Sequence, residues 1–286
     1  MRILVTGSGG LLGGELTRRL PLRGHDVTAL ARGDLDITDG DAVRRALTAL
    51  RPDVVVNCAA FAAVDGCQTQ PERAFAVNRD GPGHLARAAT EVGATLAHIS
   101  TDYVFGGDGG RRSPYRADDP TAPLQLYGTS KRDGEEAVLR DGERHLVLRV
   151  SWLFGGDQAG FVAPILNAAR AGRPLRLVSD QWGCPTWAGT VEEVLAALLH
   201  AGARGVWHAS QGGETTRLEQ AREALRLAGL STRIETVTRA ELWPDVPRPA
   251  YSVLDLSATE ELLGRSMTPW NETLRRYLEE LGAAKR

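Results

Sequence analysis

In the first half of the chain, apolar residues fall into short, nearly continuous runs, separated by longer stretches with helical spacing. Residues 2–6 (RILVT), 26–31 (DVTALA), 53–57 (DVVVN), 95–100 (TLAHIS) and 145–150 (HLVLRV) read as strands, and residues 11–20, 41–50, 71–92 and 127–140 as helices. Strands without polar alternation are buried on both faces, so this order predicts an α/β fold: a doubly wound parallel sheet with helices on either side. Beyond Val150 the pattern loosens. FGGDQAG (154–160) reads as a loop, 161–171 as a helix, 175–178 as a short strand and 191–201 as a helix. Ser257 to Glu260 resembles a capping box opening a short helix, and 270–281 reads as a closing amphipathic helix. The sheet domain is expected over 1–150, and a smaller α+β lobe, woven partly back into that sheet, over 151–286.

The turn after the first strand carries the first candidate chemistry. TGSGGLLGGEL places Gly7, Gly10 and Gly13 at G-x-x-G-x-x-G spacing at the mouth of a helix. Such glycines allow a tight turn, close backbone approach to a pyrophosphate and close packing of helix on strand, while the free N–H groups of the helix hold the phosphates. A plain strand-to-helix loop gives similar patterns, but here the strand before and the helix after both fit. Residues 1–150 are thus expected to be a Rossmann-type dinucleotide-binding domain, with the lobe binding substrate. At the end of the second strand, LARGD puts Arg32 where an acidic residue would serve the ribose hydroxyls of NAD. An arginine suits a 2′-phosphate, so NADPH is the expected cofactor; NADH is the alternative if Arg32 is only a solvated loop residue. Asp36 and Ile37 follow at a spacing that could meet the adenine edge, although an aspartate serves equally well there as a turn former.

Composition directs attention to one helix. The chain has 32 arginines but two lysines, and one of these, Lys131, stands four residues after Tyr127 in YGTSKRDGEEAV. That spacing puts both side chains on one helix face. A free phenol titrates near about 10, and a neighbouring ammonium would favour phenolate. Lysine's compact head can also reach ribose hydroxyls where a guanidinium would crowd a nicotinamide. The bland reading is a surface i,i+4 pair.

Charge and cysteine usage exclude other classes. A net charge of −2 without basic or acidic blocks gives no electrostatic case for nucleic acid or a membrane surface, which leaves a small molecule as partner. No apolar run reaches the roughly 18–20 residues of a membrane span, and the first residues read as a strand instead of a signal peptide, so a cytoplasmic location is expected. Cys58, Cys67 and Cys184 are odd in number and lack metal spacing; buried, inert thiols are expected.

Taken together, the glycine turn and Tyr127-x-x-x-Lys131 resemble the extended short-chain dehydrogenase/reductase family. NCAAFAAVDGCQTQPERAFAVN, STDYVFGG, YGTSKRDGE, RVSWLFG, DQWGCPT and RPAYSVLD narrow the resemblance, over nearly the whole chain, to its dTDP-4-dehydrorhamnose reductases. The resemblance implies NADPH-dependent reduction of the C4 keto group of dTDP-4-dehydro-6-deoxy-L-mannose to dTDP-L-rhamnose, with a dTDP-sugar as substrate. Tyr127 would be the proton donor to the C4 oxygen, Lys131 would lower its pKa and hold the nicotinamide ribose, and Thr101 would polarise the carbonyl. Cofactor contacts would come from Gly7, Gly10, Leu11, Leu12 and Gly13, from Arg32, Asp36 and Ile37, and from Ala59 and Ala60, besides Tyr127 and Lys131. On the substrate side, Asp102 and Tyr103 would line the sugar site, Trp152 would stack on sugar or thymine unless it is a core residue, Gln181 would face the nucleotide sugar, and Arg248 would grip the diphosphate unless it is a surface charge.

The chain departs from the group's pattern in places. Phe61-Ala62 and Cys67-Gln68 stand where a hydroxyl and a carboxylate are common. Glu15 matches a glutamate some members use for magnesium at a dimer interface, but Gly189 lies where they supply a second carboxylate; a lone exposed carboxylate binds magnesium poorly, so no metal is expected. Monomer and homodimer both remain open. A different nucleotide-sugar reductase or epimerase, and a non-catalytic NADP-binding regulatory subunit, are the competing readings, the last opposed by the intact Tyr127 and Lys131.

Overall fold

The computed structural model describes residues 1–156 and 160–282. Six parallel strands form the main sheet: β1 (Arg2–Thr6), β2 (Asp26–Leu30), β3 (Val54–Asn57), β4 (Thr95–Thr101), β5 (Leu146–Val150) and β6 (Gly205–Ala209), in the spatial order β6-β5-β4-β3-β1-β2. Alternation along each strand sends side chains to two apolar layers. Ile3, Val5, Val54, Val56, Leu146 and Leu148 meet Leu12 and Leu16 of helix α1 (Leu11–Arg19) and Val191, Val194 and Leu195 of helix α5 (Ala188–His200). Leu4, Val55, Leu96 and Val147 face the other way, onto helices α2 (Gly40–Leu50), α3 (Gly81–Val92) and α4 (Leu126–Arg140). This double coverage is the Rossmann-type, doubly wound arrangement expected. Because β1 lies between β2 and β3, the direction of winding reverses there. The loops after β1 and β3 therefore open a crevice at the carboxyl ends of the strands, where such sheets bind ligands.

Several elements differ from the sequence reading. The helix expected over 71–92 is three pieces, Pro71–Phe75, a π-turn over Ala76–Asp80, and α3. Pro82 lacks the N–H that would bond the carbonyl of Asn78, and the backbone of Gly134 in α4 crowds that carbonyl, since a Cβ there would lie 2.1 Å from it. Ser257 is the first residue of its helix (Ser257–Leu263) and no side chain caps Leu256 before it; the genuine capping box joins Thr238 and Glu241. Strand β6 and helix α6 (Arg217–Leu227) have no counterpart in the expected elements. Thr216 accepts the N–H of Glu219, so the T-x-x-E signal for α6 was present in the sequence. The lobe packs helices Val162–Arg170, α6 and Trp270–Glu280 into a second apolar core around Leu166, Leu218, Leu225 and Leu274. Residues 157–159 of the expected FGGDQAG loop lie outside the described residues.

Candidate active site

Backbone geometry shapes the glycine turn. Gly7 adopts φ +68°, and a Cβ on it would lie 2.5 Å from the amide nitrogen of Ala59. A Cβ on Gly13 would lie 2.2 Å from the carbonyl oxygen of Gly7, so only glycine lets α1 start this close to the strand. No side chain caps Gly10 and no acidic residue stands in the first turn of α1, which leaves its N–H groups and positive dipole end free for an anion. Two cavities meet at this helix end, sharing Gly10, Cys58 and Ala60 in their walls.

The smaller cavity, about 240 Å³, is walled by Gly7, Arg32, Asp36, Ile37, Ala59 and Phe61 among others. Arg32 is exposed on its rim, 3.9 Å from a carboxylate oxygen of Asp36. Asp36 accepts the N–H and hydroxyl of Thr38, so the turn-forming role is present in a residue that also lines the cavity. Arg73, stacked 4.3 Å over the ring of Phe61, adds a second guanidinium that sequence reasoning missed.

The larger cavity, about 560 Å³, brings Leu11, Leu12 and Gly13 of α1 together with Thr101 at the end of β4 and with Tyr127 and Lys131 of α4. Thr101 Oγ1 accepts the N–H of Tyr103 at 3.1 Å, donates to Asp102 Oδ1 at 3.2 Å and bonds the Tyr127 phenol. Lys131 lines this cavity with Tyr127, as expected from their spacing, but its Nζ reaches from α4 to β4, to the Ile99 carbonyl at 2.7 Å and to His98 Nε2 at 3.1 Å. Burial pushes the Tyr127 phenol above its ordinary range, and the Thr101 hydrogen bond only partly offsets this, so the phenol is not acidified as expected. Burial likewise lowers Lys131 to about 8, against the opposing pull of Glu135 and Cys58. Asp102 is buried, accepts Ser252 Oγ at 2.6 Å and Ser151 Oγ at 3.3 Å, and is pushed up to about 6 by burial.

On the far wall, Trp152 takes a left-handed backbone conformation, φ +44°, costly for a bulky residue and characteristic of functional sites. It is only 6 % exposed, and its buried Nε1 has no partner among the described residues. Tyr103 lines the same cavity; Gln181 sits behind it, donating to its hydroxyl at 3.1 Å, and is not part of the wall. Arg248 is also outside the wall. Its guanidinium is bound to Asp65 at 2.8 Å and to the Val246 carbonyl at 2.7 Å. The arginine that does line the cavity is Arg217, at the start of α6, 3.7 Å above the Trp152 ring and 4.8 Å from that of Phe161. No sequence motif singles it out.

Glu15 is not the exposed carboxylate expected. It is 4 % exposed and bound by Arg18 and Arg19; burial alone would raise its pKa, and the two guanidinium groups outweigh that and hold it low. Burial pushes the Cys58 and Cys184 thiols up to about 12 and Cys67 to about 11, which makes all three poor nucleophiles. No helix among the described residues is long and apolar enough to cross a membrane.

Comparison with known proteins agrees with this geometry. The family model of the RmlD substrate binding domain matches residues 1–283. A dTDP-4-dehydrorhamnose reductase of Streptomyces griseus is 47 % identical over 263 residues, covering 90 % of this chain and 86 % of its own length. A probable dTDP-4,6-dihydroxy-2-methyloxan-3-one 4-ketoreductase of Streptomyces antibioticus is 41 % identical, over 100 % of this chain and 97 % of its own. The crystal structure of a dTDP-4-dehydrorhamnose reductase from Bacillus anthracis in complex with NADP superposes with a TM-score of 0.93 at 31 % identity, covering 98 % of this chain and 99 % of the other. A doubly wound sheet, a glycine turn opening onto Tyr127 and Lys131, and a family match along almost the whole length lead to one conclusion: the chain belongs to the RmlD family of dTDP-4-dehydrorhamnose reductases.

Proposed function

We propose that the protein catalyses NADPH-dependent reduction of the C4 keto group of dTDP-4-dehydro-6-deoxy-L-mannose to dTDP-L-rhamnose. The observation that carries this is one shared cavity: Thr101, Tyr127 and Lys131 form a wall facing the uncapped, glycine-lined start of α1. The residues fit the cofactor, because the turn is closed to any Cβ, the helix end is free for a diphosphate, and Arg32 stands at the rim of the adjoining cavity for a 2′-phosphate. NADPH, when bound, supplies the hydride to C4 of the sugar. Tyr127 gives its hydroxyl proton to the C4 oxygen, so a ketone gains one hydride and one proton. Thr101 hydrogen-bonds the same oxygen as charge develops there. Residues 151–286 serve as the substrate lobe, with Trp152 against sugar or base and Arg217, instead of Arg248, reaching the diphosphate, while Asp102 and Tyr103 meet the sugar from the sheet domain.

Cofactor oxidation tests the reading, with freshly prepared dTDP-4-dehydro-6-deoxy-L-mannose, its UDP counterpart and other dTDP-4-keto sugars. Turnover of the first is expected. Faster turnover of another keto sugar would reassign the substrate, and tight NADPH binding without any turnover would instead favour a regulatory subunit.

A further inference from the structure

Four polar side chains form a buried row on the sheet face beneath α4. Strand register pairs Thr6 with Asn57 and Asn57 with His98, and Lys131 closes the row from the helix. All four are at most 2 % exposed, on a face otherwise packed with Leu4, Val55, Leu96 and Val147. The Thr6 hydroxyl donates to Asn57 Oδ1 at 2.7 Å, and the Ala59 N–H donates to the same oxygen at 3.1 Å. Asn57 Nδ2 lies 3.0 Å from His98 Nδ1, and His98 Nε2 lies 3.1 Å from Lys131 Nζ.

The protons in this row can be counted. The Ala59 N–H can only donate, so the Asn57 atom facing it is the oxygen and the atom facing His98 is the amide nitrogen. An amide nitrogen donates, which makes His98 Nδ1 the acceptor. Burial drives the His98 pKa well down, so the ring is neutral and carries its single hydrogen on Nε2. That hydrogen points at Lys131 Nζ. An ammonium has no lone pair to receive it, whereas a neutral amine accepts it and still donates to the Ile99 carbonyl.

We propose that His98 is a positioning residue that stabilises the neutral amine of Lys131 against the ammonium in the empty site, so that Lys131 can gain and lose a proton there and is more fully charged when the cofactor fills the groove. The inference rests on the NADPH reading above. Other groups facing Lys131 are compatible with it. Glu135, one turn along α4, is neutralised by Arg149 of β5 and hydrogen-bonded by Ser100 of β4; the Cys58 thiol is neutral; and Tyr127 is a neutral phenol. Anionic phosphates at the start of α1, which shares the cavity with Lys131, favour the ammonium. Once Tyr127 has given its proton to substrate, the ammonium returns one to the phenolate and becomes again the amine that His98 is arranged to hold.

With only Lys131 and Lys285 in the chain, ¹⁵N-lysine NMR reads the Nζ titration directly, and Lys131→Met assigns the signal. In the free wild-type protein we expect Lys131 to titrate near 8. His98→Leu should move that midpoint upward by roughly one pH unit or more, and His98→Gln, which restores an N–H donor, should bring it part of the way back. Adding NADP⁺ should also raise it in the wild type. A free wild-type Lys131 that stays charged beyond the usual lysine range of about 10.4 overturns the proposal even if no His98 variant folds. A low midpoint in the free protein that NADP⁺ leaves untouched refutes the cofactor-driven charging while sparing the role of His98, and absence of NADP⁺ binding refutes the cofactor reading.

Discussion

Arg217→Met tests the substrate side of the cavity most directly. Arg217 is half-buried and desolvation lowers its pKa, it makes no ion pair among the described residues, and it stacks 3.7 Å over the Trp152 ring. Asp102 offsets its desolvation only at a distance, and the diphosphate of a sugar nucleotide supplies a direct partner. Charge-assisted hydrogen bonds contribute about 1.5–3 kcal/mol, so removing the guanidinium should raise KM for the dTDP-sugar roughly ten- to a hundredfold. Stability should change little. Losing the stacking costs about 0.5–2 kcal/mol, and removing a partly desolvated charge with no direct ion pair offsets part of that. The assay combines steady-state kinetics in the sugar nucleotide, a fluorescence titration of NADPH and a melting curve. The expected pattern is a raised KM with unchanged cofactor affinity and a Tm shift within a few degrees. An unchanged KM, or an equal loss of NADPH affinity, refutes the assignment and would return Arg217 to a structural role beside Trp152.

Tyr127→Phe removes one oxygen and keeps the ring, so kcat should fall about 10²- to 10⁴-fold while NADPH binding and Tm hold; stopped-flow turnover with separate binding data checks this. Arg32→Ala should weaken NADPH roughly ten- to a hundredfold and leave NADH nearly unchanged, as paired titrations would reveal. Gly13→Ala places a methyl 2.2 Å from the Gly7 carbonyl, and neither backbone can move far without opening the turn. Overpacking of this kind costs about 1–3 kcal/mol, so calorimetry should find Tm lower by roughly 2–10 °C, together with at least a tenfold weaker NADPH affinity.

Main-sheet strands β1 to β5 were legible because they are short apolar runs bounded by glycine and polar turns, a signal that needs no tertiary context. β6 was not, since GVWHA is a half-buried edge strand whose place depends on pairing with β5, Gly205 against Leu146 to Ala209 against Val150, far away in sequence. The glycine turn was legible for a related reason: the positive φ of Gly7 and the contact of Gly13 with the Gly7 carbonyl are local requirements, although the close approach of Gly7 to Ala59 comes from the fold. Arg217 and Arg248 show the converse. Nothing local distinguishes one arginine among 32, and only the fold decides that Asp65 holds Arg248 while Arg217 lines the cavity.

Lys131 stood out by rarity, yet the sequence misplaced its partner. Helical spacing brings it one turn from Tyr127, but a long flexible amine bonds whatever acceptors burial offers, and here these are the Ile99 carbonyl and His98. His98 gave no signal of its own, because TLAHIS reads as an ordinary strand until Asn57 and Thr6 are seen beside it in register. That row supplies a reason for lysine beyond its compact shape. An arginine keeps its proton at any pH the enzyme meets and has no lone pair, so it would set N–H against the N–H of His98. Lysine alone among the cationic side chains of ordinarily high pKa can shed its proton on burial and regain it beside an anion. In a chain that otherwise uses arginine almost throughout, a lysine at 131 is what a site that must move a proton through that position requires.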